Sequence, residues 1–119
     1  MSYILVIDDE QYICWLVEEA LTPAGYTVKT TTDWQKGLKK AASEPPALIL
    51  LDLKLPGAEG TALLKEIEHL APGVPVIIMT GEVGTHTDSN IAGFLIKPFN
   101  LDDLRRLVRK TVPFLPGRP

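Results

Sequence analysis

The sequence predicts an α/β fold, a doubly wound sheet of five parallel strands ordered 2-1-3-4-5 with helices on both faces. Three observations carry this reading. Apolar runs recur along the chain and are continuous, which suits strands buried on both faces. Segments with apolar residues three and four apart lie between them. Strands alternating with helices also demand right-handed crossovers, which keep the strands parallel.

The elements follow in order. Residues 3–7, YILVI, form the first strand and stop at Asp8-Asp9. Residues 11–21 form a helix with Ile13, Leu16, Val17, Ala20 and Leu21 on one stripe, ended by Pro23 and Gly25. Residues 26–31, YTVKTT, alternate more and read as an edge strand. The second helix covers 33–43, with Thr32 or Asp33 as its cap and Leu38, Ala41 and Ala42 as apolar positions. Residues 47–51, ALILL, are the third strand and stop at Asp52. The helix at 59–70 buries Leu63, Leu64, Ile67 and Leu70 and ends before Pro72-Gly73. Residues 74–79, VPVIIM, run up to Thr80, and residues 93–96, GFLI, run up to Lys97. The last helix, 100–112, opens on Asn100 with Asp102 and Asp103 in its first turn. It closes with Arg109 and Lys110, and both ends suit the helix dipole. The strand order is flavodoxin-like.

Bulk properties bound the function. The chain has 119 residues, enough for one domain with its own core. Residues 1–112 are expected to form it, with 113–119 a proline-rich tail or the start of a linker. Hydrophobic residues make up 45% and the formal net charge is −3, which gives no reason to expect direct nucleic-acid binding. No apolar run approaches the length of a membrane span, and no basic stretch precedes an apolar run as in a signal peptide. The single cysteine, Cys14, permits no internal disulfide, and the expected compartment is the cytoplasm.

The chemistry-bearing residues gather at strand ends. Asp8 and Asp9 follow the first strand, Asp52 the third, Thr80 the fourth and Lys97 the fifth. In a parallel sheet these ends share one edge, and ligands bind there near the switch point between the first and third strands. Three carboxylates in one crevice repel unless a divalent cation sits among them, and hard oxygen donors suit Mg²⁺. Lys97 offers a point charge and Thr80 a hydroxyl to a phosphoryl group, and a carboxylate nucleophile can form an aspartyl-phosphate. Taken singly, Asp8 and Asp9 also read as helix caps, Asp52 and Thr80 as turn residues, and Lys97 as a surface lysine. The joint arrangement outweighs those readings. His69, at a helix end, and His86, in a polar loop, have no metal-ligand spacing, so no zinc site is expected.

The set Asp8-Asp9, Asp52, Thr80 and Lys97-Pro98-Phe99 resembles the receiver domain of two-component response regulators, over residues 3–110. That resemblance implies Asp52 as acceptor of a phosphoryl group from phosphohistidine on a sensor histidine kinase or a histidine phosphotransfer protein. It implies Mg²⁺ bound by Asp9 and Asp52, by Asp8 directly or through water, and by the Lys54 backbone carbonyl. Lys97 would pair with the phosphoryl group, the Lys97–Pro98 bond would be cis, and Thr80 and Phe94 would act as the switch pair. Phe94 also reads as a plain core aromatic. Cys14 and Trp15 on the first helix, beside the site, are candidates for the partner surface. For Trp15 the rival reading, partial burial along the helix edge, is slightly favoured. Such a module is a signalling switch rather than an enzyme, and an output domain can be attached to it in a longer chain. A phosphorylation-independent interaction domain is argued against by the complete acid set with Lys97. A haloacid-dehalogenase-type hydrolase needs a second acid two residues after its nucleophile, where this chain has Lys54.

One segment departs from the family. Only sixteen residues separate Thr80 from Lys97. Loops of ordinary length leave no room for an average helix between the fourth and fifth strands. That helix is expected to be shortened or absent, with the glycine-bearing loop ordering when Thr80 engages phosphate. Lys54 and Glu82, two residues past Asp52 and Thr80, flank the site either as an ion pair or as two solvated side chains.

Overall fold

The computed structural model describes residues 2–81 and 91–113. The elements run β1 (Ile4–Ile7), α1 (Gln11–Leu21), β2 (Val28–Thr31), α2 (Trp34–Ser43), β3 (Leu48–Asp52), α3 (Gly60–Leu70), β4 (Val76–Thr80), β5 (Ile91–Ile96) and α4 (Leu101–Thr111). The sheet order is β2-β1-β3-β4-β5 and every pairing is parallel. The expected fold class and strand order are therefore found. A helix between β4 and β5, shortened or absent, would fall on residues outside the described set, as do Glu82, His86 and residues 114–119. Four helices are present among the described residues. None of these is long and apolar enough to cross a membrane.

Side-chain alternation explains the layers. Along β1, Ile4 and Val6 enter one core with Leu48 and Leu50 of β3 and Ile77 and Met79 of β4, covered by α1 and α4. Tyr3, Leu5 and Ile7 enter the other with Ile49, Leu51, Val76 and Ile78, covered by α2 and α3. β1, β3 and β4 are buried along their whole length, as continuous apolar runs require. Each such Ile, Leu or Val contributes about 1.5–3 kcal/mol by leaving water. β2 and β5 are the edges and are only partly buried.

The boundaries shift in ways chemistry explains. Tyr26 precedes β2 instead of starting it, and its hydroxyl donates to the Val112 carbonyl at 2.8 Å, tying the end of α4 to the α1–β2 connection. Pro75 has no N–H for the ladder, and β4 starts after it. β5 starts two residues earlier than expected, because Ile91 pairs with Val76 across a register irregularity.

Three helices are capped by side chains. Asp33 accepts from the Gln35 and Lys36 amides, Glu59 from Thr61 and Ala62, and Asn100 from Asp102. α1 has Glu10 at the capping position, and Glu10 makes no such bond. Trp34, at the start of α2, donates its indole N–H to the Pro56 carbonyl at 3.0 Å and so braces the loop that follows Asp52.

Gly37 marks where α2 presses on the sheet. A Cβ there would lie 2.6 Å from Ile7 Cδ1 and 2.9 Å from Cγ1. Helix propensity alone makes Gly37→Ala stabilising by about 1 kcal/mol. Overpacking costs about 1–3 kcal/mol and reverses that sign. The expected result is a net loss of about 1 kcal/mol, read as a lower urea midpoint with unchanged slope.

Candidate functional site

Four strand ends, those of β1, β3, β4 and β5, converge at the carboxyl edge of the sheet. Extending the β1 alternation one step past Ile7 sends Asp8 to the α1 side. The β3 alternation sends Asp52 the same way. β1 and β3 are neighbours in register, so the two acids come together. Asp8 is fully buried, Asp52 is 4% exposed and Thr80 5% exposed. Lys97 arrives from the end of β5, where its amide donates to the Thr80 carbonyl at 2.7 Å. The Lys97–Pro98 peptide bond is cis.

Lys97 is the hub. Its ammonium donates to Asp8 Oδ2 at 2.8 Å, to Glu10 Oε1 at 3.2 Å and to Asp52 Oδ2 at 3.3 Å. The remaining oxygens are held by backbone. Asp8 Oδ1 accepts from the Glu10 amide and Asp52 Oδ1 from the Lys54 amide, each at 2.9 Å. Asp8 is thus a site carboxylate held by a turn amide, and does not cap α1. Asp9 is exposed beside it. Carboxylate oxygens of Asp8, Asp9, Glu10 and Asp52 all lie within 4.8 Å of one another.

Charge is unbalanced here. Burial pushes the Asp8 carboxyl above its ordinary value; the Lys97 hydrogen bond and the Glu10 amide offset this only in part, and the Asp52 charge adds to it. Burial pulls Lys97 down, but the hydrogen bond and charge of Asp8, with Asp52 and Glu10, together hold it above its ordinary value. One ammonium among several acids is strongly favoured in its charged form, while each acid receives only a share of it. The donor set is all hard oxygen, without His or Cys, and carries more negative charge than Lys97 neutralises. These residues fit a small divalent cation such as Mg²⁺.

The remaining sequence candidates divide. Phe94 is half-buried and packs against the core on the α2–α3 face. Trp15 is 52% exposed and stands with Tyr12, 64% exposed, their ring centroids 6.0 Å apart. Trp15 lies beside the buried stripe of α1, which runs through Ile13, Cys14, Val17, Ala20 and Leu21, and nearly half of its surface is covered, as partial burial along the helix edge implies. Cys14 lies within that stripe and is not part of a partner surface. It is 4% exposed, and its thiol faces the Asp8 carbonyl at 3.4 Å. Burial, with the Asp8 charge second, pushes that thiol up to about 11, so it is an inert core group. Glu10 was missed at the sequence level. Its only signal there was a third acid directly following Asp8-Asp9.

Comparison with known proteins agrees with the geometry. The sequence matches the response regulator receiver domain family over residues 4–109. It is 37% identical over 116 residues to the DNA-binding transcriptional regulator NtrC of Escherichia coli (strain K12), covering 90% of this chain and 24% of that protein. The chain thus spans about a quarter of the length of that regulator. It is 35% identical over 115 residues to Sporulation initiation phosphotransferase F of Bacillus subtilis (strain 168), covering 92% of this chain and 93% of the relative. Among solved structures, a CheY-like response regulator receiver domain protein from Methanospirillum hungatei JF-1 superposes with a TM-score of 0.84 at 30% identity, covering 92% of each chain. The receiver domain of NtrX from Brucella abortus gives 0.81 at 31% identity, over 94% of this chain and 99% of that one. With a family match spanning nearly the whole chain and an acid–lysine cluster at the switch point of a 2-1-3-4-5 sheet, this protein belongs to the response regulator receiver domain family.

Proposed function

We propose that this domain accepts a phosphoryl group on Asp52 from a phosphohistidine of a sensor histidine kinase or a histidine phosphotransfer protein. The observation that carries the reading is the convergence of Asp8 and Asp52 on the Lys97 ammonium at the sheet's carboxyl edge. An Asp52 oxygen attacks phosphorus, the phosphorus–nitrogen bond breaks, and its electron pair stays on the imidazole. Lys97 then holds a phosphoryl oxygen, and the Thr80 hydroxyl turns toward another. Asp8, Asp9, Asp52 and the Lys54 carbonyl would hold Mg²⁺, which when bound supplies a dication to balance charge on the phosphoryl oxygens. Thr80 and Phe94 serve as the switch pair, and Phe94 has room to respond because it is only half-buried.

The kinase-side partner docks on the outer face of α1. Trp15 is exposed there and adjoins Tyr12, a large apolar pair close to the acidic site. The domain is a cytoplasmic switch of residues 1–112, with 113–119 a tail or the start of a linker. It promotes its own phosphorylation and dephosphorylation, and in a longer chain it would govern an attached output domain. The test is direct. After incubation with acetyl phosphate and Mg²⁺, intact mass should rise by one phosphoryl group. A chain of unchanged mass under conditions that modify a control receiver overturns the proposal.

A further inference from the structure

We infer that Glu10 is a positioning residue for Lys97, the acceptor that keeps the ammonium at the rim of the site when a cation occupies the acids. The inference rests on the magnesium- and phosphoryl-binding reading above. Its first support is what Glu10 does not do. It stands at the capping position of α1 with extended backbone, φ −90° and ψ 108°, yet makes no cap hydrogen bond. The corresponding side chains of α2, α3 and α4 all cap their helices. The Glu10 carboxylate instead reaches across 87 residues of sequence to Lys97.

The second support is the valence of the ammonium. Its three protons match three acceptors, Asp8, Glu10 and Asp52. Two of these are buried, with side chains 0% and 6% exposed, whereas that of Glu10 is 58% exposed. A divalent cation among Asp8, Asp9 and Asp52 would compete for the oxygens that Lys97 now uses and would repel its like charge. Of the three acceptors, Glu10 alone lies outside the proposed ligand set. It can therefore retain Lys97 a short distance from where a phosphoryl oxygen on Asp52 must arrive. Without it, the displaced ammonium would swing into water and have to be recaptured.

Length separates this role from simple charge. Aspartate at position 10 keeps the charge but is shorter by one carbon–carbon bond, about 1.5 Å. From 3.2 Å, that puts Lys97 beyond hydrogen-bond reach. The experiment follows the Lys97 ammonium proton–nitrogen resonance by NMR during Mg²⁺ titration of the wild-type chain, Glu10→Asp and Glu10→Gln, with tryptophan fluorescence giving the Mg²⁺ affinity. In the wild type the resonance should shift but persist at saturating Mg²⁺. In both variants it should vanish into solvent exchange, with Mg²⁺ bound about tenfold more weakly. The inference is overturned if the wild-type resonance also vanishes, or if Glu10→Asp keeps the resonance and the affinity. The second result would make Glu10 a mere charge or a direct ligand. Failure of the underlying reading looks different, because the wild-type chain would then show no Mg²⁺ response by either readout.

Discussion

Lys97→Met is expected to lower the unfolding free energy of the metal-free domain by about 3–5 kcal/mol at neutral pH. Methionine restores most of the aliphatic stem, so the loss is electrostatic. It leaves Asp8, fully buried, and Asp52, with a side chain only 6% exposed, as uncompensated carboxylates sharing one crevice. The sign of the pH dependence follows. The Asp8 pKa is already raised above 3.8 by burial, so the folded state binds its proton more tightly than the unfolded chain. Stability therefore falls as pH rises through the window above 3.8, and removing Lys97 widens that window upward. The deficit of the variant should shrink on mild acidification. Lys97 itself has a raised pKa, so its contribution is fully present below 10.5 and is absent from the variant throughout that range. Mg²⁺ should stabilise the variant more than the wild type, since it replaces the missing positive charge. Urea unfolding at neutral and mildly acidic pH, with and without Mg²⁺, measures all three effects. Equal stability of the two proteins at neutral pH without metal would contradict the account.

Asp52→Asn is expected to abolish phosphoryl incorporation completely while leaving the fold in place. The amide keeps an oxygen for the Lys54 N–H, now bonded at 2.9 Å, and fits the same volume. It removes one negative charge from an acid-rich cluster, and Lys97 still pairs with Asp8 and Glu10. Thermal stability should thus stay within about 1 kcal/mol of the wild type or rise. The proposed nucleophile, however, is gone. Asp8 cannot substitute, because it has no exposed surface and both its oxygens are already hydrogen-bonded. Intact mass after acetyl phosphate and Mg²⁺ reads the outcome. Incorporation at wild-type stoichiometry would assign the acceptor elsewhere.

The fold was legible because burial on both faces writes itself into sequence as unbroken apolar runs. Residues 3–7, 47–51 and 74–79 locate β1, β3 and β4 to within two residues, and α1 is found at the expected ends. Edges were less legible. β5 begins at Ile91 because it can pair with Val76, a tertiary choice that no local pattern announces. The site was readable as a set, since parallel strands bring their carboxyl ends to one edge. What stayed hidden depends on side-chain direction. Cys14 and Trp15 are adjacent in sequence yet lie on opposite sides of the α1 boundary between core and solvent, because successive helical residues turn by about 100°. Glu10 reads in sequence as one more surface acid, whereas in the fold its long side chain turns away from its own helix and toward Lys97.

The Lys97 ion pairs also set an order of events. The lysine contacts acids 89 and 45 positions earlier in the chain. During synthesis the N-terminal strands emerge first, with their carboxylates lacking any counter-ion from this cluster. The docking of the outermost strand then brings in the Lys97 ammonium, which offsets part of that charge. Any fragment that stops short of position 97 should therefore behave as a salt- and metal-dependent folding intermediate, and the last strand acts as the electrostatic latch of the whole sheet.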